Sequence, residues 1–191
     1  NVMMTFAAGR DDAARVSAEI GKDGTAPTVC FYNVLEGLLC AEMAEFCSSV
    51  THIYYLASPL IAKGDSNKWD QSLFSRYCAF YIEGLATLLQ HVQARGSEHR
   101  KLQLFIPSSV FLDTSMKGFE EYIAAKAAAE AYVRCFENAH RNWRAVVPRF
   151  PILHTDQTSS LKDTNEQKTL DVMIQQLRLA LGNAGATPAN A

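Results

Sequence analysis

Apolar and polar positions along the chain switch between two periods, and the switching divides it into short strands and longer helices. Val2–Ala7 is a short apolar run that predicts a strand, and Asp11–Ile20 predicts a helix with Asp11 or Asp12 as its cap and Gly21 as its stop. Thr28–Tyr32, rich in β-branched and aromatic residues, predicts a second strand, Leu38–Ser48 a helix and Thr51–Leu56 a third strand. Ser58–Trp69 is a polar loop holding Pro59, Gly64 and Asp65, and Gln71–Ala94 is a long amphipathic helix. Leu102–Ile106 and Trp143–Val147 predict two more strands on either side of the helix Phe119–His140, and Leu170–Leu181 a final helix. Strand and helix alternate almost without exception, which predicts an α/β fold with a doubly wound parallel sheet and helices on both faces. In such a fold the ligand sits at the carboxyl ends of the strands. Residues 1–181 read as one domain and 182–191, small and Ala/Pro-rich, as a linker or frayed tail.

Composition narrows the classes. Hydrophobic residues are 48% and charged residues 20% of 191, which supplies a core and argues against a disordered chain. A formal net charge of -2 gives no reason to expect a nucleic-acid or anionic-membrane partner, and no apolar run approaches the ~20 residues that cross a bilayer. The five cysteines, Cys30, Cys40, Cys47, Cys78 and Cys135, show no C-x-x-C spacing and lie in apolar or helical stretches. They are expected to be reduced, buried thiols of a cytoplasmic protein. The five histidines have no ligand spacing, so no metal is expected.

The candidate chemistry lies in Tyr122-Ile-Ala-Ala-Lys126, whose i, i+4 spacing puts a phenol and an ammonium on one helix face. A cation beside a phenol favours the phenolate and lowers a pKa that is ordinarily ~10, which equips the pair for acid–base work on a carbonyl or an alcohol. Ser109 lies thirteen residues before Tyr122, just past the strand Leu102–Ile106, where a hydroxyl can hydrogen-bond a carbonyl oxygen.

Ser109, Tyr122 and Lys126 resemble the Ser–Tyr–Lys triad of the short-chain dehydrogenases/reductases, and the resemblance runs through nearly the whole chain. It implies a Rossmann-like fold, in which Ser polarises the carbonyl, Tyr donates the proton, and Lys lowers the Tyr pKa and holds the nicotinamide ribose. Gly9-Arg10 resembles the end of the family's second strand, where a basic residue marks preference for NADPH over NADH; Arg10 alone carries that expectation. Asn33-Val34 resembles the pair that contacts adenine, and Leu56-Ala57-Ser58 stands where the family carries Asn-Ala-Gly. The run Phe150-Pro151-Ile152-Leu153-His154-Thr155 resembles the segment that covers the nicotinamide. The implied cofactor contacts are thus Gly9, Arg10, Asn33, Val34, Ala57, Ser58, Tyr122, Lys126, Pro151, Leu153 and Thr155.

The chain departs from the family at Tyr81, where a catalytic Asn is usual, at Ser58 and at Pro151. It also shows no Gly-rich phosphate loop, and the spacing from Gly9 to Asn33 matches the family's second and third strands. The first strand and its loop are therefore expected to be missing from the sequence, leaving a gap in the middle of the sheet. The resemblance implies reduction of a ketone with NADPH. The expected substrate is a small molecule or a 3-ketoacyl group on a carrier protein, as in a polyketide- or fatty-acid-type synthase. Expected partners are neighbouring synthase domains or a second copy packed through the long helices. A structural pseudo-reductase and an extended-type sugar-nucleotide epimerase or dehydratase are the alternatives.

Overall fold

The computed structural model describes residues 1–96, 100–153 and 166–183. Strand β1 (Met3–Phe6) pairs in parallel with β2 (Thr28–Phe31), from Met3 opposite Thr28 to Phe6 opposite Phe31. Strands β3 (His52–Tyr54), β4 (Leu102–Phe105) and β6 (Trp143–Val146) form a parallel trio in the order β3-β4-β6. A third parallel pair joins β5 (Ser108–Ser109) to β7 (Arg149–Phe150). Helices α1 (Arg10–Ile20), α2 (Ala41–Cys47), α3 (Gln71–Cys78), α4 (Gly84–Gln93), α5 (Phe111–Thr114), α6 (Glu120–Ala139) and α7 (Glu166–Asn183) fill the connections. All pairings between strands are parallel, as the alternating pattern requires.

The parallel layer is broken. Neither β1 nor β3 has a second strand partner among the described residues, so the pair β1–β2 and the trio stand as separate sheets. The side chains of β1 are half-buried or exposed. One apolar core spans the break: Cys30 of β2 and Tyr32 just after it, Leu104 of β4 and Tyr55 just after β3, and Leu85 and Leu89 from α4 belong to one buried cluster.

The helix spanning α3 and α4 is continuous but changes pitch, with a π turn at Ala79–Glu83. It opens at Asp70, whose carboxylate accepts the backbone N–H groups of Ser72 and Leu73 at 2.9 and 3.0 Å. Gly84, at the exit of the π turn, lets the helix press on the β2 and β3 ends. A Cβ there would lie 2.9 Å from both the Tyr55 hydroxyl and Val34 Cβ, and 3.0 Å from the Val34 carbonyl oxygen.

Several boundaries differ from the sequence reading. Neither Asp11 nor Asp12 caps α1; both lie in its first turn, where they favour the helix dipole, and the helix begins from Gly9 at φ 72°. Helix α2 starts at Ala41 rather than Leu38, because Gly37 turns the chain at φ 66° against Thr87 and Cys40 supplies the cap. Helix α7 runs from Glu166 to Asn183, so Gly182 and Asn183 of the expected tail are helical, while 184–191 lie outside the described residues. The elements β5, α5 and β7 were not expected, since two- and four-residue segments carry no readable period. Cys30 and Cys47 are buried, but Cys40 and Cys135 are exposed, which corrects the expectation of buried thiols.

Gly84→Ala is expected to destabilise the chain by about 1–3 kcal/mol, because the added methyl meets a backbone carbonyl that cannot move aside. The shift in urea midpoint at constant m-value measures it.

Candidate active site

The chain leaves β4 at Phe105, passes Ile106 and Pro107, and enters β5, whose two serines are both buried. Pairing with β7 holds them there: Ser108 N–H donates to Pro148 O at 2.8 Å and Val110 N–H to Phe150 O at 3.0 Å. Ser109 Oγ accepts the Phe111 N–H at 3.2 Å, which starts α5 and leaves the serine hydrogen free to turn toward the next helix.

That helix is α6, and its i, i+4 face carries Tyr122 and Lys126, 6% and 8% exposed. The Ser109 hydroxyl acts on the Tyr122 phenol in the direction that lowers its pKa. Burial nevertheless pushes the Tyr122 phenol up to about 12, outweighing the lowering from Ser109. The expectation that Lys126 lowers this pKa is therefore corrected, and geometry gives the reason. The Lys126 ammonium donates to Pro107 O at 2.9 Å and sits 3.8 Å above the centre of the Tyr81 ring, while the centre of the Tyr122 ring is 5.9 Å away. Burial brings Lys126 itself down to about 7, against a smaller upward pull from Glu130.

Tyr81 is the residue whose role the sequence did not reveal. The π turn aims it inward, its hydroxyl lies 2.8 Å from Ser58 Oγ, and its ring stacks on Tyr77 at 6.0 Å. Tyr122 meets Tyr77, Tyr81 and Phe111 edge-on, so the phenol stands in an aromatic wall. A second unforeseen feature braces the serines: Ser108 donates to Glu130 at 2.6 Å, and Glu130 also receives the Arg149 fork at 2.9 and 2.8 Å. Arg149 reaches Asp113 as well. Its bonds hold the Glu130 carboxyl below the usual range. Glu121, 2% exposed, accepts the Asp70 N–H at 2.7 Å, and Gly64 N–H donates to Gly118 O, which clamps the Ser58–Trp69 loop onto the start of α6. The Lys126/Glu130 spacing and the carboxylate next to Tyr122 were the only sequence traces of these contacts.

Ser58, Tyr81, Ser109, Tyr122 and Lys126 face one cleft of about 350 Å³ at the carboxyl ends of β3 and β4. The structure brings Ala57, Ser58, Ser109, Tyr122, Lys126, Pro151 and Leu153 together on its lining. It keeps Gly9, Arg10, Asn33 and Val34 apart from it, at the ends of β1 and β2, where Arg10 borders a shallow depression with Phe6 and Phe31. Asn33 there caps its own turn, accepting the Leu35 N–H and donating to Glu36. Thr155 lies outside the described residues. The cleft therefore offers a phenol that keeps its proton at neutral pH, a serine hydroxyl, and a buried ammonium that burial brings down to about 7.

Lys126 also couples stability to pH. Its ordinary pKa of 10.5 applies to the unfolded chain and about 7 to the folded one, so between these values the unfolded chain binds more protons and stability rises with pH. Measured by urea unfolding, the stability of the native protein relative to Lys126→Met is expected to improve by a few kcal/mol between pH 7 and 10. A flat difference would show that the ammonium is not desolvated.

No protein-family model and no curated protein matches the chain. Among solved structures, a short chain dehydrogenase from Salmonella enterica serovar Typhi superposes with a TM-score of 0.70 at 17% identity, over 90% of this chain and 76% of that one. A Pseudomonas syringae structure of the short chain dehydrogenase type gives 0.76 at 14% identity, over 97% of this chain and 81% of that one. An alcohol dehydrogenase from the archaeon Thermococcus sibiricus gives 0.70 at 14% identity, over 88% and 75%. At these identities the likeness is one of fold: the chain has the α/β, Rossmann-type fold of the short-chain dehydrogenases.

Proposed function

We propose that the chain is an NADPH-dependent reductase that converts a ketone to an alcohol through Ser109, Tyr122 and Lys126. The observation that carries this reading is the convergence of these three side chains, from β5 and α6, in a cleft at the carboxyl ends of parallel strands. The donor set fits the nicotinamide half of the cofactor: Ala57, Pro151 and Leu153 give apolar walls for a flat ring, and Lys126 and Tyr122 give polar groups for a ribose. Arg10, beside the left-handed Gly9, suits a 2'-phosphate, since a guanidinium matches phosphate geometry. The Thermococcus neighbour is complexed with 5-hydroxy-NADP and a Brucella canis neighbour with NADP, which supports the same cofactor class here.

When bound, the dinucleotide supplies a hydride to the carbonyl carbon. Ser109 hydrogen-bonds the carbonyl oxygen, and Tyr122, protonated at neutral pH, donates its proton to that oxygen as charge develops. Lys126 orients the ribose and, titrating near 7, supports reprotonation of the phenol. The finer reading of the substrate is a 3-ketoacyl thioester on a carrier protein. Lys126 is the one charged side chain on the described lining of an otherwise largely apolar cleft, which suits an acyl chain rather than an anionic metabolite.

A non-catalytic relative of the reductases is the second reading, favoured by one observation, the docking of the Lys126 ammonium on Tyr81 instead of Tyr122. Titration of NADPH, followed by protein fluorescence or heat, separates the two: micromolar binding is expected of a reductase, and none up to millimolar cofactor of a scaffold.

Two outcomes are expected from variants. Tyr122→Phe is expected to lower kcat/KM for a 3-ketoacyl thioester by roughly 10²–10⁴-fold while leaving NADPH binding intact, because only the proton donor is removed. Arg10→Ala is expected to weaken NADPH by about tenfold or more, as the loss of a charge-assisted contact implies, with NADH unaffected in a parallel titration.

A further inference from the structure

We infer that Cys30 and Cys40 are a reversible disulfide site that closes the loop between β2 and α2. Both are free thiols, and their sulfurs lie 2.8 Å apart, within an ångström of the covalent length of about 2.05 Å. The backbone between them is already folded to hold them there. Asn33 O accepts the N–H groups of Glu36 and Gly37, Asn33 Oδ1 accepts that of Leu35, and Gly37 turns at φ 66°. The ring of His91 on α4 reaches Gly37 O at 2.8 Å, which pins the turn to the core. Closing the bond draws the two sulfurs together by less than an ångström.

The two thiols differ in a way that assigns their roles. Cys40 is exposed and its Sγ accepts the Met43 N–H at 3.4 Å, whereas Cys30 is 5% exposed. The contact with Cys30, and then the Met43 N–H, hold the Cys40 thiol below its ordinary value, and burial pushes Cys30 up to about 12. Cys40 is thus the attacking sulfur and Cys30 the resolving one. With a low-molecular-weight disulfide such as oxidised glutathione as oxidant, the Cys40 thiolate attacks one sulfur and expels a glutathione thiolate, which takes up a proton. Cys30 then attacks the Cys40 sulfur and its proton goes to the second departing glutathione. Two protein S–H bonds become one S–S bond, and the glutathione S–S bond becomes two S–H bonds. The link encloses Asn33 and Val34 and leaves Ser109, Tyr122 and Lys126 untouched, so it stands independently of the reductase reading.

The test equilibrates the full chain with oxidised glutathione, quenches with acid, unfolds it, alkylates the remaining thiols and maps the peptides without reduction. The thiols counted after unfolding are expected to fall from five to three. A Cys30–Cys40 linked peptide is expected, reversed by dithiothreitol, with Cys30→Ser converting it to a lasting glutathione adduct on Cys40. Cys40→Ser, at an exposed position, is expected to abolish the link with the fold intact by circular dichroism. A lasting adduct on Cys40 in the native protein beside a free Cys30, or oxidation of the exposed Cys135 while the pair stays reduced, would overturn the assignment.

Discussion

A lysine buried in an apolar wall is the costly element around which this molecule is arranged. Desolvating an ammonium costs several kcal/mol, and the cost is bearable only where other groups take over from water. Lys126 finds them on three separate elements. Pro107 at the end of β4 gives a carbonyl oxygen, Tyr81 in the π turn gives a ring face, and Glu130 one turn along α6 gives a more distant negative charge. The ring face contributes up to ~2 kcal/mol where water is excluded. A regular α-helix through Ala79–Glu83 would turn Tyr81 to another angle, so the change of pitch and the buried cation belong together.

The same dryness sets the protonation of the neighbouring phenol. Tyr122 stands among Tyr77, Tyr81 and Phe111, and burial outweighs the lowering from Ser109, so the phenol holds its proton at neutral pH. A proton donor needs that state before reduction, whereas oxidation needs the opposite one. Two carboxylates keep the geometry in place from outside the cleft. Glu121 ties α6 to the start of α3, and Glu130 ties the serine strand to Arg149. Each is low in exposure and hydrogen-bonded, so each acts as a fixed brace rather than a solvated surface charge.

The interrupted sheet gives the molecule a second character. The half built from β4, β5 and α6 is packed and braced, whereas β1 and β3 each present an unpaired edge among the described residues. The halves are joined by side chains, through Leu85, Leu89 and Gly84 of α4 against Tyr55 and Val34, and not by strand hydrogen bonds. The loop carrying Asn33 and Val34 sits on that joint, held by His91 on one side and by the paired thiols on the other.

The sequence by itself determined the order and kind of the long elements, because strands such as Leu102–Phe105 and helices such as α6 are dictated by apolar period and local propensity. It also determined that Tyr122 and Lys126 share a helix face and that Ser109 follows a strand, since spacing alone decides both. Only the tertiary structure decided where the charges act. Lys126 turned to Pro107 and Tyr81, two residues distant in sequence, and the phenol pKa rose instead of falling, because burial is a property of the whole packed wall and not of an i, i+4 pair. The short strands β5 and β7, the π turn and the meeting of Cys30 with Cys40 were hidden for the same reason: each is a contact between distant or irregular segments, whose energy appears only once the chain has folded.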